Sequence, residues 1–289
     1  MKNRIREILL ELNLISEDTI EPFYSRVRDR VDVAVARDTS SGIIFLDRTD
    51  HVDLSHYEQI PEGLYWGGKS REEALKNYHK DDERHAAQFK SFFADKDVID
   101  IGCGTGGLLD LIKMNTKSIA GVEPQEYLRT KLTSLGYPMY RVTEDVPDNS
   151  FDIATLFHTL EHLVEPIETL TAIHKKLRNE GTLIVEVPHA RDVLLELEPF
   201  KKFSLWSEHL ILHTKESLRV FLERAGFTDI EIIGFQRYST ANHLGWLATG
   251  LPGGQEEFPE LANDQLSTAY RQMLLQHERT DTLIALAHT

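Results

Sequence analysis

The stretch VIDIGCGTGGLLDLIK, Val98 to Lys113, decides the fold class of this chain. It begins as a short apolar strand, continues with four glycines within six residues, and ends in an apolar-periodic helix. Glycine-rich backbone loses much conformational entropy on folding, which favours a closely held ligand over an empty turn. The stretch therefore predicts a strand, a ligand-binding loop and a helix of an α/β sheet.

Strand and helix patterns alternate from Lys96 to the end of the chain. Because helical segments separate most of the strands, the pattern predicts an α/β fold with a doubly wound, mainly parallel sheet. About 45 residues lie between the last two strands, which is too long for a hairpin and predicts a helical insertion at about 238–279. The predicted strands are DVIDIG, SIAGVE, YRV, FDIATLF, TLIVEVP, DIEIIGF and DTLIALAH.

The N-terminal part has a different pattern. MKNRIREILLELN predicts an amphipathic helix, and VDVAVA and GIIFLD flank a turn-rich RDTSSG, which predicts a hairpin. We assign 1–68 to an N-terminal extension and 69–289 to the ligand-binding domain. Tyr65 and Trp66, among several glycines, are interpreted either as part of a lid or as an aromatic contact to the core. Ser70 is the predicted N-cap of a long helix.

The net charge and the cysteine content of the chain limit the binding partners and the cellular compartment that we expect. The chain of 289 residues has a formal net charge of -15, which argues against a nucleic acid or an anionic membrane as main partner. Its single cysteine, Cys103, rules out an internal disulfide framework and fits a reducing compartment. No apolar run approaches the roughly 18 residues of a spanning helix. We predict a cytoplasmic protein without a membrane span and leave its oligomeric state open, a homodimer included.

The glycine loop satisfies two ligand patterns. Gly102, Gly104 and Gly107 form G-x-G-x-x-G, a dinucleotide fingerprint. Asp100 precedes them, and its carboxylate would repel a diphosphate but attract a cationic group such as the ammonium of a methionine moiety. Glu123, about 20 residues beyond the first glycine, has the spacing at which an acid meets ribose hydroxyls, and it suits both ligands.

The chain resembles the class I S-adenosylmethionine (AdoMet)-dependent methyltransferases over roughly 97–234. VIDIGCGTGG resembles their glycine motif, GVEP their ribose-binding acid, VPDNSFDIATLFHTLEHL their fourth-strand region, and LRNEGTLIVEVP their fifth strand. The resemblance implies an enzyme with a seven-stranded Rossmann-like sheet and AdoMet as cofactor. The implied cofactor-binding residues are Asp100, Gly102, Cys103, Gly104, Gly106, Glu123, Pro124, Glu144, Asp145, Phe157 and His158.

A second resemblance concerns the acceptor. FSLWSEHLILHTKESLRVFLERAGF is similar to the segment after the fifth strand in sugar methyltransferases, including deoxysugar C-methyltransferases. It implies that His209 is a general base with Glu208 beside it, since a histidine can accept a proton near neutrality. We predict a small polar acceptor, most simply a saccharide hydroxyl or a sugar-linked precursor. The alternatives are C-methylation of a keto-deoxysugar, a nicotinamide-dependent oxidoreductase and a non-catalytic AdoMet-binding partner subunit.

Further polar and aromatic residues are assigned to the acceptor pocket. The predicted acceptor-binding residues are His162, His189, Tyr238, Asn242 and His243, with Trp246 as a stacking surface.

Two His-x-x-x-His pairs, His158 with His162 and His209 with His213, raise the question of a metal ion. Residues four apart share an ion on a helix but lie about 13 Å apart in extended chain. The first pair straddles a predicted strand end, the second is in an extended pattern, and no third ligand follows from spacing. We therefore predict no metal site.

Overall fold

The computed structural model describes residues 3–58, 70–261 and 263–289. Its strands are β1 (Ile20–Tyr24), β2 (Val35–Asp38), β3 (Ile44–Leu46), β4 (Asp97–Ile101), β5 (Ser118–Val122), β6 (Met139–Tyr140), β7 (Phe151–Phe157), β8 (Leu177–Pro188), β9 (Ile211–Leu212), β10 (Thr228–Phe235) and β11 (Thr282–His288). Its helices are α1 (Arg4–Glu11), α2 (Leu54–Glu58), α3 (Arg71–Gln88), α4 (Lys90–Phe93), α5 (Gly107–Ile112), α6 (Glu126–Ser134), α7 (Pro166–Lys176), α8 (Glu198–Ser204), α9 (Lys215–Arg224), α10 (Thr240–Thr249), α11 (Gly254–Glu257) and α12 (Asp264–Gln276).

Seven strands form the main sheet, in the order β10-β11-β8-β7-β4-β5-β6. Only β11 runs antiparallel, to β8 on one side and β10 on the other. All five residues of β4 are buried, as expected for a central strand covered by helices on both faces. The predicted doubly wound, seven-stranded sheet is confirmed, although β6 ends at Tyr140 and is shorter than the YRV segment suggested.

A second, four-stranded sheet has the order β1-β2-β3-β9. The predicted hairpin forms β2 and β3, whereas the sequence did not predict β1 or β9. In β9, Ile211 pairs with Phe45 and Leu212 with Ile44. The N-terminal extension thus shares one hydrophobic core with the main sheet, and Ile5 and Leu9 of α1 are fully buried in it. This pairing holds the segment just before β9 against the extension.

The helical insertion lies where it was predicted, between β10 and β11, and consists of α10, α11 and α12. It packs tightly, because a Cβ on Gly254 would collide with the carbonyl oxygen of Ala241. Trp246 is buried, and its ring lies 5.1 Å from both Phe200 and Phe203 of α8. The predicted stacking surface for an acceptor is therefore covered by α8.

Among the described residues, no helix combines the length and the apolar character that crossing a bilayer demands. The predicted lid residues Tyr65 and Trp66 lie outside the described residues.

Asp192 is a buried carboxyl group whose ionisation should destabilise the fold. It is buried, its Oδ1 accepts a hydrogen bond from the Leu194 amide at 2.9 Å, and burial next to Asp281 raises its pKa to about 8. A raised folded-state pKa makes stability decline as the pH rises from about 4 to 8. We expect Asp192→Asn, which keeps the cap acceptor, to raise Tm at pH 8 by roughly 5 °C and to change it little at pH 4.

The measurement is thermal unfolding of both proteins across this pH range. Asp18→Asn, which removes an exposed carboxylate, is the matched control and should leave Tm within about 1 °C at every pH. Equal Tm values for Asp192→Asn and the parent at pH 8 would contradict the assignment of an unfavourable buried charge.

Candidate active site

The glycine loop connects β4 to α5 at the carboxyl edge of the main sheet. Gly102 has φ 74°, and a Cβ there would lie 2.5 Å from Oγ1 of Thr159. The amides of Gly102 and Cys103 donate to the Val122 carbonyl at 2.9 and 3.1 Å, which fastens the loop to the end of β5. Only glycine fits at residue 102, so the loop brings bare backbone to the edge where parallel α/β sheets bind ligands.

Two buried carboxyl groups flank this loop. Asp100 Oδ1 accepts a hydrogen bond from Thr155 Oγ1 at 2.6 Å. Glu123 Oε2 accepts from the Gly104 amide at 3.0 Å, and its Oε1 accepts from the Gln125 amide at 2.9 Å. Burial raises the pKa of both carboxyl groups to about 7, against the lowering effect of these hydrogen bonds. A cationic ligand here would lower both pKa values, whereas a diphosphate would raise them further.

Three other predicted cofactor residues shape the loop from behind. The Cys103 thiol packs in a cluster with Leu109 and Leu132, and burial raises its pKa well above the ordinary value. A Cβ on Gly106 would lie 2.6 Å from Cδ2 of Leu132. The carbonyl oxygens of Glu123 and Pro124 accept from the Arg129 guanidinium. These contacts hold the conformation of the loop, and a direct cofactor contact for Cys103, Gly106 and Pro124 stays a prediction.

Glu144 and Asp145 lie on a 3-10 turn that follows β6. Both side chains are exposed, and the role near an adenine ring stays a prediction.

Phe157 and His158 stand at the carboxyl end of β7. The Phe157 ring stacks on His85 of α3, with a centroid distance of 3.9 Å and an interplanar angle of 5°. His158 has φ 47°, uncommon for a non-glycine residue, and its amide donates to the Glu186 carbonyl at 2.8 Å. Its Nε2 lies 2.9 Å from Oε1 of Glu186 and its Nδ1 3.4 Å from Oε1 of Glu161.

Glu186 is the centre of a buried ionic cluster that the sequence analysis missed. It is fully buried in β8, and both of its oxygens accept from Arg84, at 2.7 and 2.9 Å. His85 Nε2 lies 3.2 Å from Oε2 of the same carboxylate. Arg84 lies on the charged helix α3, and its guanidinium reaches inward to this carboxylate. An isolated acid in the apolar run TLIVEVP was the available signal.

Arg237 closes the cluster from the loop after β10. Its guanidinium lies 2.6 Å from Nε2 of His158 and donates to Asp81 of α3 at 3.1 Å. Burial and Arg237 disfavour the charged form of His158, yet Glu161 and Glu186 outweigh both and raise its pKa to about 9. These contacts hold α3 over the carboxyl edge of the sheet.

Helix α3 also covers the glycine loop directly. Arg71 Nε donates to the Thr105 carbonyl at 2.8 Å. A Cβ on Gly107 would collide with the Asp82 carboxyl group, whose pKa burial raises to about 7. Asp82 adds a third carboxyl group to this corner, and no motif in the sequence pointed to it.

The predicted acceptor residues Glu208 and His209 lie in the loop between α8 and β9. Glu208 Oε1 accepts from His56 Nε2 of α2 at 2.8 Å. The His209 ring lies 4.9 Å from that of His162 in an edge-on arrangement. The Tyr57 hydroxyl is 3.4 Å from Nδ1 of His162. The extension thus supplies α2 as one wall of this region.

The electrostatics of His209 weigh against its predicted role. Burial, reinforced by His162, lowers the pKa of His209 to about 3. Such an imidazole is neutral near pH 7, but a general base works best with a pKa close to the working pH. The assignment of His209 as general base stays a prediction.

The other predicted acceptor residues have internal partners. His189 is buried with Nδ1 2.9 Å from the Thr280 carbonyl oxygen, where burial lowers its pKa to about 4. Asn242 donates to Gln255 at 3.0 Å within the insertion. His243 Nδ1 lies 3.1 Å from the Tyr270 hydroxyl. These three side chains are therefore buried and hydrogen-bonded within the protein, whereas Tyr238 of the predicted set is exposed.

Comparisons with known proteins agree with this geometry. The family described as Methyltransferase domain matches residues 72–232, more than half of the chain. A solved structure described as a SAM-dependent methyltransferase from Archaeoglobus fulgidus has a TM-score of 0.53 and 21% identity, covering 76% of this chain and 95% of that one. At this identity the structural likeness shows the fold alone.

Two curated relatives share the name tRNA U34 carboxymethyltransferase. The protein from Helicobacter acinonychis is 28% identical over 154 residues, covering 48% of this chain and 58% of the relative. The protein from Campylobacter jejuni is 22% identical over 258 residues, covering 81% of this chain and 84% of the relative. The chain spans about half the length of the first four curated relatives, 47–58%.

These relatives contradict the expected partners. The exclusion of nucleic acid and the choice of a saccharide acceptor were wrong, because the curated relatives are tRNA-modifying enzymes by name. The exclusion was drawn from the net charge of the whole chain. Net charge averages over the surface, whereas nucleic acid responds to the local arrangement of cations.

The cofactor also fits the residues present. Asp100 and Glu123 are buried beside bare loop backbone, and their raised pKa values match a ligand with sulfonium and ammonium charges. The family match removes the nicotinamide-dependent and non-catalytic alternatives. The chain belongs to the family described as Methyltransferase domain, and S-adenosylmethionine is the cofactor that this family and the residues of the site support.

Proposed function

We propose that this methyltransferase modifies tRNA. The observation that carries the proposal is the repeated similarity to proteins named tRNA U34 carboxymethyltransferase, one of which aligns with 81% of the chain. AdoMet, when bound, supplies an electrophilic methyl group on a sulfonium, so the protein mainly has to align the acceptor. The side chains that follow β7 and precede β9 would border the acceptor, since they lie at the carboxyl edge of the sheet.

A local group of cations supports an RNA acceptor despite the acidic chain. Arg28 donates from its backbone to the Leu205 carbonyl at 2.9 Å and from Nη1 to the Phe203 carbonyl at 3.0 Å. Arg26 lies two residues before Arg28, and Lys202 directly precedes Phe203. The side chains of Arg26, Arg28 and Lys202 are all exposed. We call Arg26, Arg28 and Lys202 the basic patch. The Arg28 guanidinium stacks 3.6 Å from the ring centre of Trp206, three residues before His209.

The direct test is transfer of label from tritiated AdoMet to RNA. Purified parent protein is incubated with total tRNA, ribosomal RNA or a mixture of small metabolites, and the modified nucleosides are identified by mass spectrometry. We expect the label to be incorporated into tRNA and to be released from it by ribonuclease digestion. A carboxymethyl nucleoside would keep tRNA as the acceptor and change the group transferred. Label confined to small metabolites would overturn the proposal.

The cytoplasmic location stays a prediction.

We expect the double charge reversal Arg26→Glu/Lys202→Glu to weaken tRNA binding about 10-fold or more at 50 mM salt, with a smaller effect at 200 mM. The reason is that phosphate contacts release counterions and are therefore steeply salt-dependent. The measurement is fluorescence anisotropy with labelled tRNA.

The control reverses two exposed cations elsewhere, Lys175→Glu/Arg224→Glu on α7 and α9. It has the same change in net charge and should bind tRNA more tightly than the patch variant. Equal weakening by both double variants would show that only total charge matters and would remove the patch from the proposal.

A further inference from the structure

Glu161, His162 and His209 form a compact cluster that the proposed function does not use. Each can offer one ligand atom, and these atoms all lie within 4.8 Å of one another. Glu161 and His162 belong to a 3-10 turn that directly follows β7, and His209 comes from the loop before β9. The Leu210 amide donates to the Glu161 carbonyl at 2.8 Å, so a backbone hydrogen bond holds the two segments together.

Glu161 differs from the other buried carboxylates described above in its hydrogen bonding. Its exposed fraction is 0%, and neither of its side-chain oxygens has a hydrogen-bond partner of good geometry. Its polar neighbour His158 lies 3.4 Å from Oε1, an ion-pair contact only. By contrast, Asp100, Glu123 and Glu186 each accept one or more hydrogen bonds within 3.0 Å. His158 balances the charge of Glu161 through space, whereas a bound cation would also ligate its oxygens, which accept no hydrogen bond of good geometry.

His162 and His209 face each other in the cluster, with ring centroids 4.9 Å apart in an edge-on arrangement. A neutral imidazole binds a metal ion through the lone pair of one ring nitrogen. A second unpartnered buried oxygen, Oε2 of Glu208, lies in the residue before His209.

We propose that Glu161, His162 and His209 bind a divalent transition-metal ion of the Zn²⁺ type. Two imidazoles and one carboxylate are a donor set that suits Zn²⁺ and its neighbours better than Ca²⁺ or Mg²⁺, which prefer oxygen ligands. Three protein ligands leave coordination positions open, as in catalytic sites. This proposal departs from the expectation of no metal site, which rested on sequence spacing alone.

The position of the site gives the ion a role that rests on the proposed function. The cluster follows β7 at the carboxyl edge of the sheet, three to four residues beyond the predicted cofactor wall Phe157 and His158. An ion there would bind an oxygen of the acceptor in an open position, orient it, and lower the pKa of a coordinated hydroxyl or water. Metal binding itself requires neither AdoMet nor RNA, so it is tested separately.

The experiment uses the full chain, stripped with a chelator and titrated with Co²⁺ and Zn²⁺ without cofactor or RNA. Co²⁺ absorption in the visible region reports nitrogen and oxygen ligands, and calorimetry with Zn²⁺ reports the number of ions. We expect one ion per chain and a rise in Tm on binding. His162→Ala and His209→Ala should each weaken binding at least about 100-fold, since they remove a ligand rather than an outer partner.

Two further variants make the test decisive. Glu161→Gln removes the charge but keeps the shape, so it should lose the metal-dependent rise in Tm while its metal-free form stays folded by circular dichroism. His79→Ala disrupts an exposed His79–Glu83 pair of the same residue types, 3.1 Å apart, and should bind as the parent does. Absence of binding to the parent at about millimolar ion, or equal affinity in folded Glu161→Gln, would overturn the proposal.

Discussion

Glu186→Ala is expected to lower the free energy of unfolding by about 3–5 kcal/mol, a large share of the stability of a typical domain. The Glu186 carboxylate is fully buried and accepts two hydrogen bonds from Arg84, and it also contacts His85 and His158. Alanine would leave the largely buried Arg84 guanidinium with Asp81, 3.3 Å away, in place of its two short hydrogen bonds to Glu186. The measurement is equilibrium unfolding in urea, with circular dichroism as the signal.

Glu231→Ala is the matched control, because Glu231 also lies in a strand of the main sheet but is exposed. It should change the unfolding free energy by less than about 0.5 kcal/mol. If Glu186→Ala lost no more stability than this control, the buried cluster would contribute little, and the packing of α3 over the sheet would need another explanation.

Glu123→Gln is expected to weaken AdoMet binding about 100-fold with little loss of stability. The Glu123 carboxylate organises the loop through the Gly104 and Gln125 amides and is placed to receive ribose hydroxyls. An amide can accept from only one of these two N–H groups and offers weaker hydrogen bonds than a charged oxygen. Isothermal titration calorimetry measures the affinity directly.

The control is Glu126→Gln, which alters an exposed acid three residues along the chain at the start of α6. It should bind AdoMet as the parent does. Unchanged affinity in Glu123→Gln would mean that this acid acts only in the apo loop and does not contact the ligand.

The same two carboxyl groups predict how binding depends on pH. In the free protein burial raises the pKa of Asp100 and of Glu123 to about 7, and a cationic ligand binds best when both are ionised. Parent affinity should therefore fall as the pH drops from 8 to 6, with protons released on binding. In Glu123→Gln this dependence should be weaker, because one of the two titrating groups is gone.

Much of the fold was predictable from local pattern. The alternation of apolar runs with helical segments identified every strand of the main sheet, since strand and helix periodicities are written into short windows of sequence. The glycine loop, Asp100 and Glu123 were likewise predictable, because turn chemistry and the strand-end position place them at one edge. β1 and β9 were missed, since β9 has only two residues and exists by pairing with β3.

The acceptor side was predicted less well, for a physical reason. A histidine in the sequence carries no record of its partners, so His189, Asn242 and His243 resembled binding residues while the structure uses them in packing. Their roles at the acceptor stay predictions. The net charge of -15 was misleading about nucleic acid, because nucleic acid responds to the local arrangement of charges and not to their sum over the chain.

The sequence by itself determined which segments form the strands of the main sheet, the bare backbone of the glycine loop and the two acids beside it, because these follow from a regular pattern within short stretches of chain. Only the tertiary structure brought Glu161 and His162 to His209, which lies nearly 50 residues away, through the Leu210 hydrogen bond and the pairing of β9 with the N-terminal hairpin. The tertiary structure also sets the charge states of these three side chains, because the pKa of a side chain depends on its exposure to solvent and on the charges around it.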